Sequence, residues 1–248
     1  MKKIYYLLLI ILAILFLMFI AEVVDGRENS RYKVSTYDNY SFNSEARNLL
    51  FVVDFSNSMG EFLEHKTKVS QVKSVLDKIL PQISIDTNVG IRVYGHTCNI
   101  FAFNACRSSE LLVPLNKNNS GNIINSISKL RPRGMTPITY SLKQAVKNDL
   151  VNSKGNKHII LLTDGGENCD ESPCDYAIEL MKERRDINID VIAFDVQDSE
   201  DLDQLKCVAD VTSGKFIEAN TNAQLVHSME NLILPHKQVE AMLLNTYD

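Results

Sequence analysis

The sequence has no excess of positive charge: 26 Lys and Arg stand against 31 Asp and Glu in 248 residues, a net charge of −5. The charges are mixed in sign along the chain, so no basic field exists to hold a phosphate backbone, and nucleic acid is excluded as a partner class. No P-loop and no Gly-x-Gly-x-x-Gly pattern occurs, which removes the common nucleotide cradles. There is no Gly-x-Ser-x-Gly elbow, and none of the five histidines stands in a triad context. Neither an internal repeat nor a low-complexity tract is present. Without these devices the chain reads as a non-enzyme of ordinary globular size plus appendages.

Cysteine is scarce as well. The five residues Cys98, Cys106, Cys169, Cys174 and Cys207 are an odd number, so at least one thiol is unpaired within a monomer, and spacing does not fix the connectivity. The close pairs Cys98/Cys106 and Cys169/Cys174 are the simplest expectation. Zinc is the competing use, but no second short Cys pair or His pair completes a site beside Cys169/Cys174.

Charge is missing altogether from Ile4 to Ala21, an 18-residue run that makes a helix about 27 Å long, just enough to span a bilayer. Lys2 and Lys3 precede it, so the N-terminus stays cytoplasmic and the rest is exported. Residues 1–24 are therefore read as an uncleaved signal anchor, placing the following domain on the extracytoplasmic side of the membrane. The alternative is a cleaved signal peptide and a secreted protein. Residues 25–47 are polar and aperiodic, a linker. Beyond the membrane, disulfides become available to the cysteines.

After the linker, apolar strands alternate with amphipathic helices. Leu49–Phe55 is an apolar run interrupted only by Asp54 and suited to a strand covered on both faces. Val69, Val72, Val75, Leu76 and Ile79 follow at helical spacing, up to Pro81. Val89–Gly95 is a second strand and Glu110–Leu115 a third, with Pro114 arguing for an edge. Two helical patterns around Ile123–Leu130 and Leu142–Leu150 precede the strand KHIILLT. Then come a helix near Ser172–Arg185, the strand INIDVIAFDV, a helix near Ser199–Val211, the strand KFIEA, and a last helix carrying Leu225, Met229 and Leu232. This predicts an α/β fold, a doubly wound and mainly parallel sheet of about six strands flanked by helices, over residues 48–233, with a tail over 234–248. The tail's apolar stretch Ala241–Leu244 is too short to span a membrane.

In such a sheet ligands bind beyond the carboxyl ends of strands. Asp54, Ser56 and Ser58 follow the first strand, Thr136 lies in the loop between two helices, and Asp164 follows IILLT. All offer hard oxygens, which suit Mg²⁺ rather than a softer ion that calls for His or Cys. Hydroxyls bring no charge, so an ion held by them remains electrophilic enough to attract an acidic group. The bland alternative has Asp54 and Asp164 capping helices while Ser56 and Ser58 satisfy turn backbone.

The run DFSNS, the loop RGMTP and the run TDGGE, in this order, resemble the metal-ion-dependent adhesion site of the von Willebrand factor type A family over about Asn48–Ile233. The resemblance implies a doubly wound, Rossmann-like domain in which Ser56, Ser58 and Thr136 contact Mg²⁺ or Mn²⁺ through hydroxyls. Asp54 and Asp164 then act directly or through water. It also implies that a protein partner offers an Asp or Glu carboxylate to the ion. Thr139 competes with Thr136 by position. TDGGENCDESPC further resembles exported bacterial members with cysteines in this loop and another near Cys207, to which Cys98 is extra.

If the second and third strands form a hairpin, the loop GHTCNIFAFNACRSS emerges on the metal edge, as does ENCDESPC. Its Ile100, Phe101 and Phe103 either pack under the hairpin or form an apolar patch for a partner. His96 is set aside as a strand-end structural residue. Two rivals remain. One is a metal-independent interaction or assembly module of the same fold. The other is a metal-dependent hydrolase with a nucleophilic aspartate, which lacks the second aspartate that such chemistry needs, because Ser56 stands there.

Overall fold

Leu49, Phe51 and Val53 pack into one apolar layer and the intervening Leu50 and Val52 into another, so the first strand is buried on both faces. The computed structural model describes residues 47–97 and 105–234. The expected anchor and linker, the residues Cys98, Ile100, Phe101 and Phe103, and the C-terminal tail lie outside them. Among the described residues no helix is long and apolar enough to cross a membrane.

In chain order the elements are β1 (Asn48–Asp54), β2 (Phe62–Leu63), β3 (Lys66–Thr67), α1 (Lys68–Ile79), β4 (Asn88–Tyr94), β5 (Ser109–Asn116), α2 (Ser120–Ser128) and α3 (Ile138–Gln144). β6 (Lys157–Thr163), α4 (Pro173–Glu183), β7 (Ile187–Phe194), α5 (Ser199–Val211), β8 (Phe216–Ala219) and α6 (Asn222–Ile233) complete the series. Six strands form one sheet in the order β5-β4-β1-β6-β7-β8. Every neighbour pair is parallel except β4 and β5, which run antiparallel. Pro114 indeed sits on the edge strand, where its missing N–H breaks no interior ladder. Helices α1, α2 and α6 cover one face and α3, α4 and α5 the other.

Helix α1 buries the residues its spacing singles out, Val69, Val72, Val75, Leu76 and Ile79. Thr67 caps it, accepting a hydrogen bond from the Ser70 N–H at 3.3 Å. Helices α4 and α5 are capped in the same way by Ser172 and Asp198. The β2–β3 hairpin was not legible in advance, because two-residue strands carry no period of two.

Helix α3 does not continue regularly to Leu150. It widens into a π-helical turn over Ala145–Asp149, marked by the bond from the Leu150 N–H to the Ala145 carbonyl at 3.0 Å. Asp149 accepts a bidentate pair from Arg92 on β4, at 2.6 Å from Nε and 2.9 Å from Nη2. Ser109 on β5 takes a third Arg92 hydrogen bond, to its Oγ at 3.0 Å. A buried guanidinium is thereby held between the sheet and the wide turn.

The cysteines pair otherwise than by proximity in sequence. Cys106 is bonded to Cys169 and Cys174 to Cys207, each with its Cα atoms 5.4 Å apart. Cys174 lies in the first turn of α4 and Cys207 in α5, so it faces a neighbouring helix, while Cys169 stays on the loop and meets Cys106 in the turn before β5. The bridges join separate segments instead of closing single loops, and these four residues keep no thiolate for zinc.

Candidate metal centre

Strands β1 and β6 are neighbours where the winding reverses, because the chain runs outward from β1 to β4 and β5 and then crosses back to β6. Ligands of open α/β sheets enter the crevice beyond the carboxyl ends of such a pair. Asp54 ends β1 and Asp164 follows β6, so both carboxylates stand in that crevice.

Asp54 is fully buried. Its Oδ1 accepts the Ser56 backbone N–H at 2.6 Å and its Oδ2 accepts the Thr163 hydroxyl at 2.8 Å. The first of these is the turn-satisfying bond of the bland alternative, but it does not balance the charge. Burial, reinforced by the charge of Asp164, pushes the Asp54 carboxyl up to about 7 against the opposing bonds from Ser56 and Thr163. Burial also raises Asp164, opposed by Ser58 and by Lys68. The crevice therefore holds two carboxylates whose negative charges are undercompensated.

The serines connect them. Ser56 Oγ and Ser58 Oγ are 3.0 Å apart, and the Ser58 hydroxyl donates to Asp164 Oδ1 at 2.7 Å. Adjacent vertices of a Mg²⁺ octahedron, with bonds of 2.0–2.1 Å, are separated by about 2.9 Å. The Ser56–Ser58 and Ser58–Asp164 separations lie close to that spacing, and the donor set is hard oxygen throughout. Among the described residues no group of three His, Cys, Asp or Glu gathers as a separate metal site.

Thr136 reaches this edge through its backbone. Ser56 and Gly134 form a parallel bridge, with the Asn57 N–H donating to the Gly134 carbonyl at 3.0 Å. The N–H of Gly134 donates to the Gly95 carbonyl at 2.7 Å. Both glycines are needed for the approach. Gly95 has φ of +71°, and a Cβ there would lie 2.6 Å from the Ser56 nitrogen. At Gly134 a Cβ would lie 2.7 Å from the Thr97 carbonyl oxygen. Thr136 itself is buried, its N–H donating to Asn168 Oδ1 at 2.7 Å. Thr139 stands in the first turn of α3, where its N–H donates to Glu167 Oε2 at 2.7 Å and its hydroxyl has no hydrogen-bond partner among the described residues.

Of the five expected residues, Ser56, Ser58 and Asp164 are joined side chain to side chain, Asp54 is attached through the Ser56 N–H, and Thr136 is brought to the same edge by the Gly134 bridge. His96 pairs with Glu110 through Nε2 at 3.0 Å. Sequence reasoning passed over Thr163, Asn168 and Glu167, which hold Asp54, Thr136 and Thr139 in place. It also passed over Lys68, whose ammonium lies 3.1 Å from Asp164 Oδ2, 3.2 Å from Asp195 Oδ2 and 3.6 Å from Glu61 Oε2. A signal existed for Lys68. A cation as the first residue of a helix opposes the helix dipole, so it needs acidic neighbours. Burial disfavours its charge, but the attraction of Asp164 and Asp195 prevails and its pKa is raised.

Comparison with known proteins places this geometry. The model of the von Willebrand factor type A domain matches residues 48–231. The uncharacterised protein YwmC of Bacillus subtilis is 28% identical over 193 residues, spanning 75% of this chain and 84% of that one. Proximal thread matrix protein 1 of the mussel byssus, solved with zinc in its metal-ion-dependent adhesion motif, superimposes with a TM-score of 0.58 at 20% identity, over 76% of this chain and 45% of that chain. The pilus adhesin SpaC of Lactobacillus rhamnosus GG gives a TM-score of 0.62 at 16% identity, over 77% and 30% of the two chains. The family match covers the sheet, both helical layers and every residue of the crevice, and on that ground the chain belongs to the von Willebrand factor type A domain family.

Proposed function

We propose that this protein is a membrane-anchored, exported interaction module that binds a protein partner through Mg²⁺ or Mn²⁺. The single observation that carries the reading is the run of oxygens Ser56, Ser58 and Asp164, at 3.0 Å and 2.7 Å, backed by the buried Asp54. Ser56, Ser58 and Thr136 would hold the ion through hydroxyls, and Asp54 and Asp164 would supply charge directly or through water. A bound ion supplies a Lewis-acidic position for one carboxylate oxygen of the partner. The rest is done by the chain itself. Thr163 fixes the Asp54 carboxylate, Asn168 fixes the Thr136 loop, and two exposed arginines on that loop, Arg131 and Arg133, add positive charge for an acidic ligand.

The zinc-occupied motif of the byssus protein and the fold shared with a pilus adhesin support this reading. The apolar run Ile4–Ala21 supports an anchor, and two disulfides suit an oxidising compartment beyond the membrane. Mg²⁺ or Mn²⁺ is preferred to zinc because the donors are oxygens.

The reading is tested by immobilising the wild type and the Asp54→Ala variant and exposing both to the exported proteins of the source cell. The wild type should retain a protein in Mg²⁺ and release it into EDTA, and the variant should retain none of it. Equal retention by both forms in EDTA would overturn the reading in favour of a metal-independent module.

A further inference from the structure

Lys68 is a buried cation at the rim of the proposed metal site, only 5% exposed, held among three carboxylates. It divides the work of Asp164. One carboxylate oxygen, Oδ1, accepts the Ser58 hydroxyl on the side of the crevice, while Oδ2 faces the ammonium at 3.1 Å. The ammonium is itself pinned from the far side by Asp195 at 3.2 Å, and Thr67 caps the helix that carries it. It is therefore a fixed fitting of the fold and not a surface lysine that has swung inward.

Two consequences follow from the chemistry of the ions. Ca²⁺ takes six to eight oxygens and favours bidentate carboxylates, whereas Mg²⁺ accepts one oxygen from each of six donors. With Oδ2 occupied by the ammonium, Asp164 has one oxygen to offer. Local charge acts in the same direction. Asp54 and Asp164 together match a divalent ion and Asp195 matches the ammonium, so the effect of Lys68 on the ion is the local one of a positive charge set beside Asp164. A positive charge beside Asp164 weakens the hold on any cation.

Resting on the metal-binding reading above, we propose that Lys68 is a specificity-determining residue that keeps Asp164 monodentate, so that the site discriminates against Ca²⁺ and holds its ion less tightly. Lys68 touches neither ion nor partner. It acts through Asp164, and the group it excludes is the second carboxylate oxygen.

Calorimetric titration of Mg²⁺ and, separately, Ca²⁺ into the full-length protein in detergent tests this. The wild type should bind Mg²⁺ more tightly than Ca²⁺. Lys68→Met, which keeps the length of the side chain and removes its charge, should bind both ions more tightly. Its Ca²⁺ affinity should rise by at least about tenfold, more than its Mg²⁺ affinity, so that the preference narrows or inverts. Lys68→Arg should keep the wild-type preference, which a merely structural role for the side chain does not require. Should Lys68→Met fail to fold, the double variant Lys68→Met/Asp195→Asn removes one charge of each sign and still frees Oδ2, and the same loss of preference is expected. An unchanged Mg²⁺ to Ca²⁺ ratio in a folded charge-removing variant would overturn the proposal. Absence of any metal binding in the wild type would instead overturn the reading on which it rests.

Discussion

Asp54 is the residue on which the chemistry of the crevice turns, because it is a fully buried carboxylate with no cation bonded to it among the described residues. Its carboxyl stands at about 7, well above the ordinary carboxylate range, chiefly through burial. A folded-state value raised in this way contributes stability that is complete below the unfolded value and is lost as pH rises through the folded one. The metal-free protein should therefore lose thermal stability between about pH 5 and about pH 8, and Asp54→Asn should flatten that slope. Mg²⁺ requires the carboxylate, so its addition should raise Tm more at about pH 8 than at about pH 5.5, where it competes with a proton. Differential scanning fluorimetry of both forms across this range checks the two statements. At the same scale the sequence disclosed the ligands but not their supports. Asp54, Ser56, Ser58 and Asp164 stand next to strand ends in a spaced run that the resemblance makes readable. Thr163 is indistinguishable from any strand threonine, and Lys68 is separated from Asp164 by 96 positions, so its ion pair exists only once β1 and β6 are neighbours.

Elements carry the site by being locked to one another. The Cys106–Cys169 bridge ties the turn before β5 to the loop after β6, and that loop supplies Glu167 and Asn168 to the Thr136 segment. The Cys174–Cys207 bridge ties α4 to α5 away from those bonds. Replacing either pair by serine should cost about 2–4 kcal/mol in denaturant unfolding. Only the Cys106→Ser/Cys169→Ser variant should also weaken Mg²⁺ binding, and equal affinities of the two double variants would contradict that assignment. The π-helical turn makes a separate prediction. Asp149→Ala leaves the Arg92 guanidinium buried without its bidentate partner and should cost about 3–5 kcal/mol, while Arg92→Met/Asp149→Leu should recover most of the loss. Urea unfolding of the three proteins distinguishes a costly orphaned charge from a stabilising pair. The six strands of the sheet were legible from short apolar runs and the six helices from apolar residues at helical spacing. The widened turn and the β2–β3 hairpin were not, since both are set by tertiary partners. Nor was the disulfide pattern, because helix α4 turns Cys174 away from Cys169 toward Cys207.

The described domain begins and ends at the edge of the sheet opposite the crevice. β1 spans seven residues from Asn48 to Asp54, about 23 Å at the rise of a parallel strand, so the chain enters the sheet at the edge opposite the crevice. Helix α6 ends there as well, since Glu230 in its last turn pairs with Lys78 in the last turn of α1 at 2.9 Å. Every group of the crevice lies between Asp54 and Asp195, so protein lacking residues 1–46 and 235–248 should bind Mg²⁺ as the full chain does, a comparison that titration of both settles. The most direct test of the central claim is calorimetric titration of Mg²⁺ into the purified protein beside the Asp54→Ala variant, with the fold of each checked by circular dichroism. Saturable binding of one ion per chain, abolished in a folded Asp54→Ala protein, is the predicted result. Binding of equal affinity in both forms, or none in a well-folded wild type supplied with a carboxylate-bearing peptide, would contradict a metal centre at Asp54, Ser56, Ser58, Thr136 and Asp164.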